Sequence, residues 1–438
     1  MHKVVAGFAC LAFTLAFITS RGQGSWERIT VPTAASLYSV CFTDSVYGWA
    51  VGDSGTILHT TDGGNAWALQ PCPVTGEIMT VFFLNRNLGW ASAFNFTVPP
   101  FGTVLLRTTN GGDDWTATPY PQENIFINCI LFFDSLTGWM GGMPHALVKT
   151  TDGGDTWNQA TIDTSIFAFF PVLNITFYDT LTGFACGGMF DIAGVIWRTT
   201  NGGDIWYAID ASQAPADEVH ALHIIDPQHV IGAGGDPDYG YGVGMIRSSD
   251  GGLNWAYEDI GIQGIAFDID FRTATEAWAP LGPRRKLIWS PDSGESWNEI
   301  ATPDSVSVLE ITFPDSLHGY AVGHDGAVLK YHPPVPPFVP PFPGKLSGDY
   351  ALNVSPNPGS SLFFITCRVP DTEVITVKLH SLSGIEVARI AEMKVFPGVH
   401  QFPFRVEAVP PGIYLVSLSA GGHLKTTRRI IIRTYTPG

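Results

Sequence analysis

The chain has 438 residues, 40 of them acidic against 23 basic, for a formal net charge of −17. Recognition of a phosphate backbone needs a basic surface, so nucleic acid is excluded as a partner. With 12% aromatic residues, 48 glycines, 32 prolines and only 14% charged residues, the composition suits many short strands joined by tight turns.

A basic start, Met1-His2-Lys3, precedes an apolar run from Val4 to about Ile18 and a small, polar exit to Gly24. This is the pattern of a secretory signal peptide, expected over residues 1–22. The run is short for a bilayer span of about 20 residues, and no later stretch is long enough, so an integral membrane protein is not expected. The remaining cysteines, Cys41, Cys72, Cys129, Cys186 and Cys367, are scattered and odd in number. They indicate neither a disulfide framework nor a metal site.

From residue 25 the chain repeats itself. The pattern Ser/Thr-x-Asp/Asn-x-Gly-x-x-Trp occurs at 60–67, 108–115, 150–157, 199–206, 248–255 and 290–297, at intervals of about 42 to 49 residues. Its fixed members are Asp62 and Trp67, Asn110 and Trp115, Asp152 and Trp157, Asn201 and Trp206, Asp250 and Trp255, and Asp292 and Trp297. The Asp or Asn side chain accepts from backbone N–H groups of its own turn, Gly supplies a positive φ, and Trp opens the next strand with a large buried ring. Ahead of the turn lies a second pattern, clearest as Phe42 to Gly48-Trp49-Ala50-Val51-Gly52, and again around Gly138, Gly183 and Gly319.

Four short antiparallel strands per unit make a propeller blade. First strands are expected near Tyr38, Met79, Cys129, Leu173, Val219, Phe267 and Val308, seven in all, but Trp-led fourth strands follow only six boxes. Ser25-Trp26 at the N-terminus supplies the seventh, because the last unit, ending at Tyr331, has no box. The predicted fold is therefore all-β: a seven-bladed β-propeller over 25–331, its N-terminal strand closing the last blade.

A proline-rich linker, 332–348, and a small β-sandwich, 349–438, complete the chain. The sandwich carries Pro356-Asn357-Pro358, a turn at Gly384, Gly412 with Tyr414 near the end, and Lys425 before a last apolar strand.

Three resemblances follow from these motifs. The octapeptide resembles the Asp-box (BNR) hairpin of sialidase-like propellers. Together with the Gly-Trp-Ala-Val-Gly strand, it makes residues of roughly 26–331 resemble the photosystem II assembly/stability factor family, which implies the fold rather than a photosynthetic role. The C-terminal segment resembles the sorting domain of Bacteroidota proteins exported by the type IX secretion system. That resemblance implies passage through the periplasm to the cell surface or medium, with the secretion machinery as a partner.

Loops between strands two and three, and loops from one blade to the next, are expected to share one face, opposite the Asp-boxes. Four long loops, at 92–102, 162–171, 187–194 and 232–244, are expected to join one blade to the next. They suggest a ligand face of Phe94, Phe96, Phe101, Phe190, Asp191, Asp236, Asp238, Tyr239 and Tyr241. The expected function is binding of a protein, peptide or glycan by an exported scaffold. No catalytic, cofactor-binding or metal residue stands out. The competing reading is a glycan hydrolase using two loop carboxylates, drawn from Asp191, Asp210, Glu218, Asp236 and Asp238. Arg107, Arg198 and Arg247 occupy the repeat position that Lys149 and His59 hold elsewhere, which argues against a sialidase arginine cluster.

Overall fold

The computed structural model describes residues 23–163, 169–189, 192–209, 212–235, 242–334, 350–359, 362–406 and 409–433. The expected signal peptide and most of the proline-rich linker lie outside the described residues. The chain divides into two compact units, one up to Pro334 and one from Val335.

Among the described residues, the first unit is built of seven antiparallel sheets. Sheet I has the order Leu37–Phe42, Gly48–Gly52, Thr56–Thr60, Ala68–Leu69. Sheets II (78–119), III (126–159), V (219–263) and VI (270–301) repeat that order. Sheet IV (172–208) adds a fifth strand, Thr161–Ile162, running parallel beside Ile205–Ala208. In sheet VII (308–332) the outer strand is Ser25–Arg28, which pairs antiparallel with Ala327–His332 and sets Trp26 opposite Tyr331. The first strands of neighbouring sheets pack side by side from I to V and from VI to VII, and sheet VII packs on sheet I.

A trio of rings explains the sequence pattern ahead of the first three boxes. Phe42 stacks on Tyr320 of the preceding sheet at 3.8 Å and meets Trp67 of its own fourth strand edge-on at 5.9 Å. Phe83 does the same with Trp49 and Trp115, and Phe132 with Trp90 and Trp157. Each of these rings lies across the glycine that opens the next strand. A Cβ on Gly48 would sit 2.4 Å from the Phe42 ring, and one on Gly183 would sit 2.3 Å from Phe177. Glycine is required there for close approach, not for its φ.

The boxes are closed by their own hydrogen bonds. In the first, Thr60 Oγ1 donates to Asp62 at 2.9 Å and accepts from the Gly64 N–H, while Asp62 Oδ1 accepts from the N–H groups of Asn65 and Ala66. Gly63 and Gly64 take φ of +68° and +71°. The same bonding holds Asp152 and Asp250 at about 2, through the hydroxyl of Thr156 and the side-chain amide of Asn254 respectively.

Each box is also gripped by the preceding sheet. Lys330 Nζ and Tyr320 Oη donate to the Gly63 carbonyl at 2.7 and 2.9 Å. Trp49 Nε1 and Gln70 Nε2 reach the Gly111 carbonyl, Trp90 Nε1 reaches Gly153, Lys149 Nζ reaches Gly202, Arg198 Nε reaches Gly251, and Arg247 reaches Gly294. The recurring basic position of the third strand is thus a link between sheets. At the sixth sheet the position is Trp289, and the seventh sheet offers no box to grip.

The second unit holds two antiparallel sheets. One has the order Ala351–Ser355, Leu362–Val369, Gly398–Arg405; the other has Glu386–Val395, Glu373–Ser381, Gly412–Ala420, His423–Ile432. Alternate residues of both, among them Phe363, Ile365, Ile375, Val377, Val416 and Ile430, form one buried apolar cluster. The motif residues each have a local task. Asn357 donates to the Arg429 carbonyl and accepts from the Ile431 N–H, tying the Pro356–Pro358 turn to the last strand. Gly384 turns at φ +84°, Gly412 opens its strand opposite Ile432, Tyr414 Oη donates to the Pro410 carbonyl, and Lys425 lies 4.7 Å over the Tyr350 ring. All five described cysteines are unpaired.

Candidate functional site

The long loops need one correction. Those at 95–102, 189–193 and 235–242 connect the second and third strands of sheets II, IV and V; the one after Ile162 lies in the connection from sheet III to the first strand of sheet IV, past the short strand Thr161–Ile162 that sheet IV takes up. The second strands of these sheets run longer than the repeat suggests, to Asn95, Met189 and Gly235, which makes a hairpin insertion resemble an inter-blade loop in the sequence. Strand direction still puts both kinds of loop at the same end of their sheets.

At sheet II the loop is a built feature. Asn95 Nδ2 donates to the carbonyls of Val98 and Pro100 at 2.6 and 2.8 Å, and its Oδ1 accepts from the Thr97 N–H. Phe94 is buried and meets Phe126 edge-on at 5.1 Å, while Phe96 stacks on Phe126 at 4.9 Å and is 59% exposed. Phe101 is exposed at the loop's far end. Beside these rings a cleft of about 620 Å³ is lined by Asp53, Val74, Glu77, Phe94 and Val98. Around the same end, His145 of the sheet III hairpin touches the exposed ring of Phe169 at 5.8 Å. Met143, Met189 and Ile192 are exposed on the neighbouring hairpins.

Of the other residues expected on this face, Phe190, Asp191, Asp236, Asp238, Tyr239 and Tyr241 lie outside the described residues, as does Asp210. Glu218 Oε2 lies 3.6 Å from His220 Nε2. Arg284 ends a short 3₁₀ turn, and Arg285 follows it with φ +57°. Arg107, Lys149, Arg198 and Arg247 do not converge on a ligand; each reaches the box of the next sheet.

A second feature was not legible from motifs. The first strands of six sheets bulge at the same repeat position, at Tyr38, Met79, Asn128, Leu173, His220 and Leu309. A bulge re-aims the side chains around it. These residues line a cavity of about 460 Å³ to which all seven sheets contribute, together with Thr80, Asn174, Phe267, Asp268 and Glu310. Its rim includes Pro283 and His324, from the loops between strands two and three of the last two sheets, so it opens at the same end as the aromatic loops.

Asp268 Oδ2 accepts from the Ile311 N–H and Asp270 Oδ2 from Phe313, so carboxylates join sheet VI to sheet VII. Burial pushes Asp268 up to about 7 and Glu310 well above the carboxylate range, and it lowers His220 to about 4. The one sequence signal for the cluster was available. Asp268 and Asp270 stand where Ser39 and Cys41 stand in the first repeat, whose side chains accept from the Val81 and Phe83 N–H groups.

Comparison with known proteins agrees with the two-unit reading. Residues 18–123 and 96–219 match the family described as Photosynthesis system II assembly factor YCF48, and residues 353–433 match the Secretion system C-terminal sorting domain. The photosystem II stability/assembly factor HCF136 of Arabidopsis thaliana is 30% identical over 95 residues, covering 20% of this chain and 23% of that protein. HCF136 of Cyanidioschyzon merolae is 24% identical over 344 residues, covering 72% of this chain and 76% of that protein. A solved structure described as YCF48 bound to D1 peptide aligns with a TM-score of 0.57 at 22% identity, over 70% of this chain and 97% of that one. The chain therefore carries a β-propeller resembling the photosystem II assembly factors, followed by a type IX sorting domain, and it is a secreted or cell-surface protein. Among the described residues no helix is long and apolar enough to cross a membrane.

Proposed function

We propose that this protein is an exported scaffold whose first unit is a seven-bladed propeller, residues 25–331, that binds a polypeptide on its loop face. Residues 332–348 act as spacer, and 349–438 form a sandwich that addresses the chain to the secretion machinery. The observation that carries the binding reading is the exposure of large apolar side chains on neighbouring loops: Phe96 59%, Val98 62%, Phe169 70% and Ile192 59%. Apolar residues gathered on hairpin tips, beside a cleft, are the mark of an interaction surface rather than of a solvated one. An apolar, weakly polar face suits the side chains of an extended peptide better than the hydroxyls of a sugar. The peptide-bound structure of a similar protein gives this reading a precedent without defining the ligand.

The test is an array of overlapping peptides and a polysaccharide panel, both probed with the full exported chain. Apolar and aromatic peptides are expected to be retained, and Phe96→Ser with Phe169→Ser should weaken retention by roughly tenfold, the loss of two exposed aromatic anchors. Retention of polysaccharide with release of reducing ends would replace this reading with a hydrolase.

A further inference from the structure

The axial cavity carries chemistry that the loop-face reading does not use. Its wall mixes polar groups (Thr80, Asn128, Asn174, His220, Asp268 and Glu310) with the apolar stems of Met79, Leu173 and Leu309. Among the described residues lining it there is no lysine or arginine, so the two carboxylates have no cationic partner on the wall. Asp268 accepts from the Ile311 N–H and Glu310 from the Ser39 hydroxyl, but two polar atoms are buried there without a hydrogen-bond partner, His220 Nε2 and Asn128 Nδ2. The Glu218 carboxylate, 3.6 Å from His220 Nε2, is too far to bond it. Buried polar atoms are almost always satisfied, and a cluster of unsatisfied ones facing a cavity points to an occupant.

The occupant's charge follows from the wall. Two half-buried carboxyl groups without a counter-ion hold their protons, and a cation entering the cavity would be paired by ionising them. A metal ion needs several ligand atoms converging on one point, and among the described residues no three His, Cys, Asp or Glu side chains do so. An ammonium head needs only separate acceptors, since it carries three N–H donors that tolerate a spread of directions. His220, neutral because it is buried, offers Nε2 as an acceptor when its proton sits on Nδ1, and rotation of the Asn128 amide presents its oxygen. The apolar residues between these groups fit a chain of methylenes.

We propose that the axial cavity is a receptor for a primary ammonium on an unbranched stem, with Asp268 and Glu310 as its counter-ions and His220, Asn128 and Asn174 as further acceptors. This goes beyond polypeptide binding on the loops, because a free alkylamine and a lysine side chain present the same head and stem. Binding favours the ionised form of both groups, and at a pH above 7 it is chiefly Glu310 that releases a proton to the solvent. The groups that face them across the neighbouring strands are Asp270, His223, His220, and the thiols of Cys41 and Cys186.

The probes are n-hexylamine and 1-hexanol, titrated calorimetrically into the full chain at about pH 8, where the amine is still charged. The amine should bind at least about tenfold tighter than the alcohol, with proton release read from buffers of different ionisation enthalpy. Asp268→Asn with Glu310→Gln should abolish that preference, and Leu173→Trp, which plugs the cavity without altering its charge, should remove binding altogether. Equal affinity for amine and alcohol in the parent protein overturns the proposal, as does an amine affinity that survives both variants. A lysine peptide and its Nε-acetylated form separate the two sources: discrimination assigns the site to a polypeptide side chain, and its absence, with the free amine bound, assigns it to a small amine. Phe96→Ser leaves hexylamine binding intact, so the loop face and the cavity fail or stand independently.

Discussion

At the scale of single residues, the repeat is a set of close approaches. In five of the seven sheets a Phe near the end of the first strand lies across the glycine that begins or lies near the start of the second, and the two positions were visible in the sequence only as a spacing. Gly48→Ala is expected to cost about 1–3 kcal/mol, because the Cβ must displace the Phe42 ring from its stack on Tyr320. Urea unfolding with an unchanged slope and a lower midpoint would bear this out; an unchanged midpoint would mean the ring has room to move. The box residues were equally legible, since Asp62 and its counterparts bond within their own eight residues. Their grip on the neighbouring sheet was legible only as a recurring basic position. Nothing in a linear pattern says that Lys330 will meet Gly63.

At the scale of elements, the four-strand unit could be read because each strand ends in a turn with its own chemistry. Loop membership could not be read so well. Length was visible at 95–102, but only the pairing of Asn95 with Gly102 shows it to be a hairpin within sheet II. The bulges of the first strands have no residue signature at all: Tyr, Met, Asn, Leu and His occupy the same position, so the cavity they line was hidden. The pairing of Ser25–Arg28 with the last strand of the first unit was expected from arithmetic alone, since one fourth strand was missing. Deleting residues 23–30 should leave Ala327–His332 with an unpaired edge. Sedimentation velocity is expected to show dimers or larger species where the parent protein sediments as one smaller component, because a free strand edge recruits another. A truncated chain that sediments like the parent would mean that sheet VII tolerates three strands.

At the scale of the whole molecule, all seven sheets of the first unit converge on a pair of buried carboxyl groups. Asp268 titrates near 7 and Glu310 well above the usual range, so the folded chain keeps protons that the unfolded chain has released. Their contribution to stability is therefore fullest below the ordinary carboxylate range, about pH 4, and is lost as pH rises through about 7. Between those limits the stability of the parent protein should fall relative to that of the Asp268→Asn, Glu310→Gln protein, whose axis cannot ionise. Thermal midpoints of the two proteins, compared from about pH 5 to pH 8, should diverge in favour of the variant. Parallel curves would show that the pair is solvated well enough to titrate normally.

The grips between sheets all run in one sense, from one sheet forward to the next sheet's box, and the junction after the sixth sheet is built otherwise. There, carboxylates of Asp268 and Asp270 hold backbone N–H groups of the seventh sheet, and Arg272 Nη1 reaches the Ser316 carbonyl. Six junctions are thus interchangeable parts. A duplicated unit among the first five sheets would arrive with a hook for its successor and an eye for its predecessor, and the neighbours would need no new residues. The seventh sheet has a hook and no eye, so it can follow only a sheet adapted to it. A unit can be added or removed among the first five sheets without new contacts, but not at that one place, where Ser25–Arg28 completes the sheet that ends the first unit.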